Sequence, residues 1–292
     1  MILDRRTLLA AASGFTICWP AFAEETAPPA LEAYERESSG RIGLYAENLA
    51  TGAKIAWRAD ERFVMCSTFK ASLAAATLAR VDRRQERLDA VVRYGPRDLL
   101  DYAPVAKAGV GKASVGKGGL TVGELCAGAV ELSDNTCANL LLARLGGPAA
   151  LTAFWRRQGD ATSRLDHNEP ALNRSPPGDP HDTTTPRAMA GNVQRFLLGD
   201  VLSPASRRRL TDWMLNCQTG AERLRAGLPQ TWRIGDKTGN NGKDAAGDIA
   251  MAWPHPDRPI VIAAYTQGGK PTDAQLETVF AAIGRAVGER LG

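Results

Sequence analysis

The sequence predicts an α+β protein, an antiparallel sheet flanked by terminal helices with an all-helical domain inserted into it. Three observations lead there. Strand-like runs cluster near the two ends, at 41–57 and again after 230. Between about 67 and 217 nearly every strong signal has the helical period. An amphipathic stretch from Ala274 to Leu291 closes the chain. Helix, two strands, helical insert, three strands and helix, in that order, describe one sheet domain assembled from both chain ends. We expect residues 24–66 and 218–292 in the sheet domain and 67–217 in the helical one, with an irregular loop at 164–184.

Each element has a local reason. Pro28-Pro29 opens a short helix that runs to residue 38. Arg41 to Ala46 alternates, Ala50-Thr51-Gly52 turns, and Lys54 to Trp57 returns, which makes a hairpin. The Ala/Leu-rich run after Phe69 favours helix and ends in the charged run Asp82-Arg83-Arg84. Thr121 and Glu124 form a capping box ahead of Leu125-Cys126-Ala127. Asn135 to Leu145 is helical and stops at Gly146-Gly147, and Pro148 opens the next helix. Thr185-Pro186 and Ser203-Pro204 each read as an N-cap followed by proline at the first helical position. Segments 232–239, 248–253 and 259–265 are strands, the last two joined by a turn at Pro254 to Arg258.

The chain has 292 residues, enough for a large core and one or two domains. A hydrophobic content of 44% and a charged content of 23% are those of a soluble globular protein. A formal charge of +4, without a Lys/Arg stripe interleaved with aromatics, argues against nucleic acid. Arg207-Arg208-Arg209 reads as a solvated helix face. Residues 1–23 read as a signal peptide: Arg5-Arg6, an apolar stretch too short to span a bilayer, and Ala21-Phe22-Ala23 as cleavage site. The paired arginines suit twin-arginine export, Sec export being the alternative, and a periplasmic destination is expected. Cleavage there removes two Arg and one Asp and leaves a charge of +3. Cys66, Cys126, Cys137 and Cys217 form no C-x-x-C pair, and the three His form no zinc pattern, so no metal is expected. We read the thiols as buried small hydrophobes.

The chemistry-bearing stretch is Ser67-Thr68-Phe69-Lys70. At the start of a helix, residues three apart share a face, so Ser67 and Lys70 lie side by side. A serine hydroxyl is a weak nucleophile until its proton is taken, and a desolvated lysine can take it or hold the group that does. Ser-x-x-Lys alone is common by chance. Here it is followed in order by Ser133-Asp134-Asn135, by Glu169 with Asn173 in the long loop, and by Lys237-Thr238-Gly239. Each stands at a boundary between elements.

This ordered set resembles the class A serine β-lactamases, whose motif set it matches. Tyr102-Ala103-Pro104-Val105 and Leu145-Gly146-Gly147-Pro148 extend the likeness over essentially the whole mature chain. The resemblance implies the serine β-lactamase/DD-peptidase-like fold and a hydrolase that opens the cyclic amide of β-lactams. Penicillins are the implied substrates, with cephalosporins next and carbapenems an open question. Ser67 would be acylated. Lys70 and Glu169 would share its activation, Ser133 would relay a proton to the leaving nitrogen, and Glu169 with Asn173 would hold the deacylating water. Asn135 would bind the substrate amide, and Lys237, Thr238 and Gly239 its carboxylate side. The N–H groups of Ser67 and Asn240 would form the oxyanion hole, and Tyr102 would stand at the mouth. No cofactor, nucleic-acid partner or membrane contact after signal cleavage is implied, and a monomer is expected.

Several positions depart from the commonest family pattern. Ala246 stands where many members carry an arginine, and Arg223 matches the alternative arginine of other members, including several carbapenemases. Cys66 is similar to a carbapenemase cysteine, but Asn241 replaces its disulfide partner. Cys126 matches half of another family disulfide, with Ala74 opposite. The glycine-rich segment Ala106 to Gly119 is longer than usual. His167 replaces the arginine that pins the loop to Asp182, so loop order is expected to depend on pH. The rival readings are a penicillin-binding DD-peptidase or a membrane-tethered penicillin sensor, acylated without turnover. Glu169 discriminates against the peptidase, and the lack of a tethering helix in the sequence argues against the sensor. A zinc β-lactamase would need a histidine motif that is absent from the sequence.

Overall fold

The computed structural model describes residues 28–112, 118–174, 176 and 178–292. The expected signal peptide, its cleavage after Ala23, and residues 113–117 of the glycine-rich segment lie outside them.

Helix α1 (Pro29–Ser38) starts on proline, whose missing N–H is one the first turn leaves unpaired anyway. Strands β1 (Arg41–Asn48) and β2 (Lys54–Trp57) form the expected hairpin. After β3 (Phe63–Val64), a 3-10 turn at Cys66–Thr68 runs into α2 (Phe69–Asp82). Next come β4 (Val91–Arg93), α3 (Pro104–Lys112) and β5 (Gly119–Thr121), followed by α4 (Val122–Glu131), α5 (Asn135–Leu145) and α6 (Pro148–Arg157). Beyond the long loop lie β6 (Thr183–Thr184), α7 (Pro186–Leu197), α8 (Pro204–Leu215) and the short α9 (Leu224–Gly227). Strands β7 (Arg233–Asn240), β8 (Ala245–Trp253) and β9 (Ile260–Gln267) precede α10 (Asp273–Leu291). The expected caps are made: the hydroxyls of Thr121, Thr185 and Ser203 each accept a first-turn N–H, and Glu124 completes the box at Thr121.

Among the described residues, three short strands inside 67–217 are additions to the helical layer that the sequence does not announce. β4 pairs with β5, and β6 pairs with β3. Pairings of two or three residues are too short to show a period.

The main sheet runs β2-β1-β9-β8-β7, antiparallel throughout. The last strand in sequence sits in the middle, between β1 and β8, and so joins the two chain ends. Both faces are covered. Ile42, Leu44, Ile260 and Ile262 pack with Leu31, Phe280 and Ile283 of the terminal helices. Tyr45, Ile249, Ala263 and Tyr265 face Phe69, Leu73 and Met189 of the helical layer. Two-sided burial explains why β9 reads as an unbroken apolar run, whereas a half-exposed antiparallel strand would alternate.

Helix α2 is the axis of the helical layer. Every residue from Phe69 to Ala79 is buried. Its alanines let neighbouring helices approach on all sides, and the charged side chain among them, Lys70, must find partners within the protein.

Candidate active site

The turn before α2 aims Ser67. Cys66 takes a left-handed backbone, φ 45°, which a non-glycine residue adopts only where its surroundings hold it there. Gly239 of β7 makes that packing possible. A Cβ at Gly239 would lie 2.9 Å from Ser67 N, Met65 O and Cys66 Cβ, so the strand backbone lies directly against the nucleophile turn.

Lys70 lies beside Ser67 as the spacing requires. Its Nζ donates to Ser133 O at 2.7 Å and Asn135 Oδ1 at 2.5 Å, and lies 3.1 Å from Glu169 Oε1. Burial lowers its pKa, and the Glu169 carboxylate works against that fall. Ser67 Oγ donates to the same Glu169 Oε1 at 3.2 Å. The hydroxyl and the ammonium therefore converge on one carboxylate oxygen.

Ser133 joins two lysines. Its Oγ accepts from Lys237 Nζ at 3.1 Å and from Lys70 Nζ at 3.5 Å. Its own φ is 56°, a left-handed conformation that the anchoring of the next residue, Asp134, holds in place. Asp134 caps α5 through Cys137 N at 2.7 Å, and its other oxygen takes the N–H groups of Val105 and Ala106 at the start of α3. Lys237 is fully buried, and burial brings its ammonium down to about 8.

Glu169 is held at both ends. Asn139, one helical turn past Asn135 on α5, accepts from Glu169 N and donates to Glu169 O, each at 2.9 Å. Asn173 Nδ2 donates to Glu169 Oε2 at 2.6 Å. Where the loop closes, Arg164 N donates to Thr183 O at 3.0 Å. Arg164 forks onto Asp166, and Asp182 Oδ1 accepts the N–H groups of Asp166 and His167. His167 Nδ1 lies 2.6 Å from Asp182 Oδ2, a bond that raises the histidine pKa. Asp182 O in turn accepts from Met65 N, two residues before the nucleophile.

Farther out, a cavity of about 1120 Å³ separates Asn173 and Arg174 from the turn after β7. Asn241 reaches across it and donates to Asn173 O at 3.4 Å. Cys66, Cys126, Cys137 and Cys217 are buried and unbridged.

The remaining expected residues line the rim. Thr238 Oγ1 meets Thr219 Oγ1 at 2.5 Å. Arg223 stacks over Phe280 and donates from Nη1 to Gly239 O and Gly247 O at 2.9 and 2.8 Å, bracing β7 against β8. It also borders a pocket with Thr219 and the exposed Asn240. Tyr102 stands 52% exposed and touches the centre through its carbonyl, which accepts from Asn135 N. Beneath β7 and β8, burial raises the pKa of the Asp236 and Asp248 carboxyls, against Arg225 at 2.5 Å from Asp236. Among the described residues no group of three or more His, Cys, Asp or Glu is placed to hold a metal ion.

Asn139, Thr219 and the Arg164–Asp166 pair belong to the site without being singled out by any sequence motif. Asn139 had a local signal in its i+4 spacing from Asn135. Thr219 had none, because it acts across a tertiary contact.

A serine hydroxyl and a depressed-pKa lysine on one buried carboxylate, with a second serine between two ammonium groups, can perform acyl transfer and deliver a proton to a departing nitrogen. The family described as the β-lactamase enzyme family matches residues 28–291. The chain belongs to the class A β-lactamases. β-Lactamase L2 of Stenotrophomonas maltophilia is 46% identical over 287 residues, covering 98% of this chain and 93% of that one. The carbapenem-hydrolyzing β-lactamase KPC of Klebsiella oxytoca is 44% identical, covering 88% and 86%. Among solved structures, an ancestral (GNCA) class A β-lactamase superposes with a TM-score of 0.84 at 54% identity, covering 89% of this chain and 98% of that one. A β-lactamase from Xanthomonas campestris gives 0.85 at 44%, covering 90% and 97%. The protein is therefore a β-lactam hydrolase of the serine class, on the α+β fold that the sequence predicts.

Proposed function

We propose that this β-lactamase works through an acyl-enzyme at Ser67. Ser67 Oγ attacks the lactam carbonyl while its proton passes to the Glu169–Lys70 pair. The C–N bond then breaks, and the nitrogen takes a proton through Ser133, which Lys70 and Lys237 flank. Water held by Glu169 and Asn173 cleaves the ester and restores Ser67. The N–H groups of Ser67 and Asn240 receive the oxyanion, each such donor contributing roughly 3 kcal/mol to the transition state. Asn135 takes the substrate amide, Lys237, Thr238 and Arg223 its carboxylate, and Tyr102 borders the mouth.

The observation that carries this reading is the position of Glu169, with Oε1 in reach of Ser67 Oγ at 3.2 Å and Lys70 Nζ at 3.1 Å, and Oε2 on Asn173 at 2.6 Å. A DD-peptidase or sensor has no use for a carboxylate so placed. Intact-protein mass spectrometry of wild type and Glu169→Ala, each mixed with a penicillin, tests it. Wild type should stay unmodified while product accumulates, and the variant should hold a persistent adduct. A wild-type protein that itself keeps the adduct would overturn the reading.

Penicillins and cephalosporins are the proposed substrates; Arg223 and the likeness to KPC favour adding carbapenems, against which Asn241 leaves Cys66 without a disulfide partner. Steady-state turnover of imipenem is the expected result, and a stable acyl-enzyme without turnover would refute that extension. The Arg5-Arg6 and Ala21-Phe22-Ala23 motifs support export to the periplasm, where the enzyme would act as a monomer.

A further inference from the structure

At the far end of α2 from Ser67, a pocket of about 600 Å³ opens between α2, α5 and α6. The fourteen-residue helix puts it roughly 20 Å from the nucleophile. Arg80, Arg83, Arg144 and Arg157 line it, and among the described residues no carboxylate does. The floor is apolar, with the buried ring of Phe154 and small alkyl side chains.

The four guanidinium groups are not neutralised as a set. Arg144 forks onto Glu86 at 2.8 and 2.9 Å. Arg80 donates to a carbonyl, Arg144 O, at 2.6 Å, which fixes its position without cancelling its charge. Among the described residues the side chains of Arg83 and Arg157 form no hydrogen bond or ion pair. Two carboxylates stand close by, Glu86 and Asp82; Asp82 is hydrogen-bonded by Ser203 N, Ser203 Oγ and Ser206 Oγ at 2.7 to 2.8 Å and acts on Arg83 through space, so four cations face two anions and a net positive charge remains. Like charges converging on a concave surface repel one another, and a multivalent anion relieves that repulsion.

We propose that this pocket is a binding site for a phosphate-bearing ligand with an apolar portion. The planar fork of arginine matches phosphate oxygens two at a time, and guanidinium groups from three helices can surround a phosphoryl group of charge near −2. The cavity is larger than one phosphate, and its floor would take an alkyl or aromatic body attached to it. A lipid headgroup and a soluble phosphate ester share this chemistry.

Isothermal titration with inorganic pyrophosphate, and flotation with neutral phosphatidylcholine vesicles carrying or lacking phosphatidic acid, separate the two sources. The Arg83→Ser/Arg157→Ser variant removes the two cations whose side chains make no hydrogen bond or ion pair, and Arg208→Ser/Arg209→Ser removes equal charge from the exposed face of α8. Pyrophosphate should bind wild type, about tenfold more weakly to the first variant and within about twofold of wild type to the second. Turnover of a penicillin should be the same in all three proteins. Vesicle binding that pyrophosphate displaces identifies a headgroup ligand, and pyrophosphate binding without vesicle binding identifies a soluble ester. Absence of binding in both arms, or equal weakening by the two variants, would overturn the proposal.

Discussion

Gly239→Ala is the sharpest test of how β7 builds the site. The added Cβ would sit 2.9 Å from Ser67 N, Met65 O and Cys66 Cβ, whereas ordinary contact begins near 3.4 Å. Two of the three neighbours are backbone atoms, so no side chain can swing away. The strand or the nucleophile turn must move by about 0.5 Å, which is the tolerance within which a catalytic constellation still works. Ser67 N is one of the two proposed oxyanion donors, and losing a donor of that kind costs about 10²–10³ in rate. Overpacking of this kind costs about 1–3 kcal/mol in stability, a fall of a few degrees in Tm for a chain of this size. The assay is single-turnover acylation by a chromogenic cephalosporin at 20 °C, with Tm measured in parallel. Gly95→Ala is the control, since a Cβ there meets nothing within 4 Å. An acylation rate within threefold of wild type would refute the claimed contact between β7 and the Ser67 turn.

Three further outcomes are expected. Burial brings Lys237 to about 8, so the charge that meets the substrate carboxylate is lost above that pH. KM should climb between pH 8 and 9.5, and a flat KM would remove Lys237 from carboxylate binding. His167 has its folded pKa raised by Asp182, so its bond adds full stability below the unfolded value near 6.5 and loses it as pH rises through the folded value. Intrinsic-rate-corrected hydrogen exchange should show the 164–184 loop better protected at pH 5.5 than at pH 8, and equal protection would sink the idea. Asn241 Oδ1 accepts the N–H groups of Lys243, Asp244 and Ala245 at 2.9 to 3.0 Å while Nδ2 reaches the loop. Asn241 Nδ2 also donates to Asp244 Oδ1 at 2.9 Å. Asn241→Ala should lose about 1–2 kcal/mol and slow deacylation, and Asn241→Asp, which keeps the Oδ1 acceptor but sets a second carboxylate against Asp244, should recover neither in full. Normal deacylation in both variants would show the tether to Asn173 to be idle.

The legible part of this protein is what a short window of chain can specify. Ser67 and Lys70 share a face because a helix repeats every 3.6 residues, and that adjacency survives in the structure. The caps at Thr121, Thr185 and Ser203 are side-chain hydrogen bonds over three residues, so their sites were readable to the residue. The strands at both ends showed in their β-branched and apolar runs. The two-residue pairing of Phe63–Val64 with Thr183–Thr184 did not, because nothing so short carries a period.

By itself, then, the sequence determined the element order, the helix starts, and the set of side chains able to do acyl-transfer chemistry. Tertiary structure decided which of their atoms meet. Glu169 reaches Ser67 across 102 residues of chain, Lys237 reaches Ser133 across 104, and Gly239 lies against the backbone of Ser67. It also decided that Lys70 and Lys237 would be fully buried, and so how readily each gives up its proton. The physical reason is range. Periodicity and capping are set by neighbours a few residues away, whereas desolvation and non-local hydrogen bonds exist only after β9 has inserted between β1 and β8 and α2 has been enclosed.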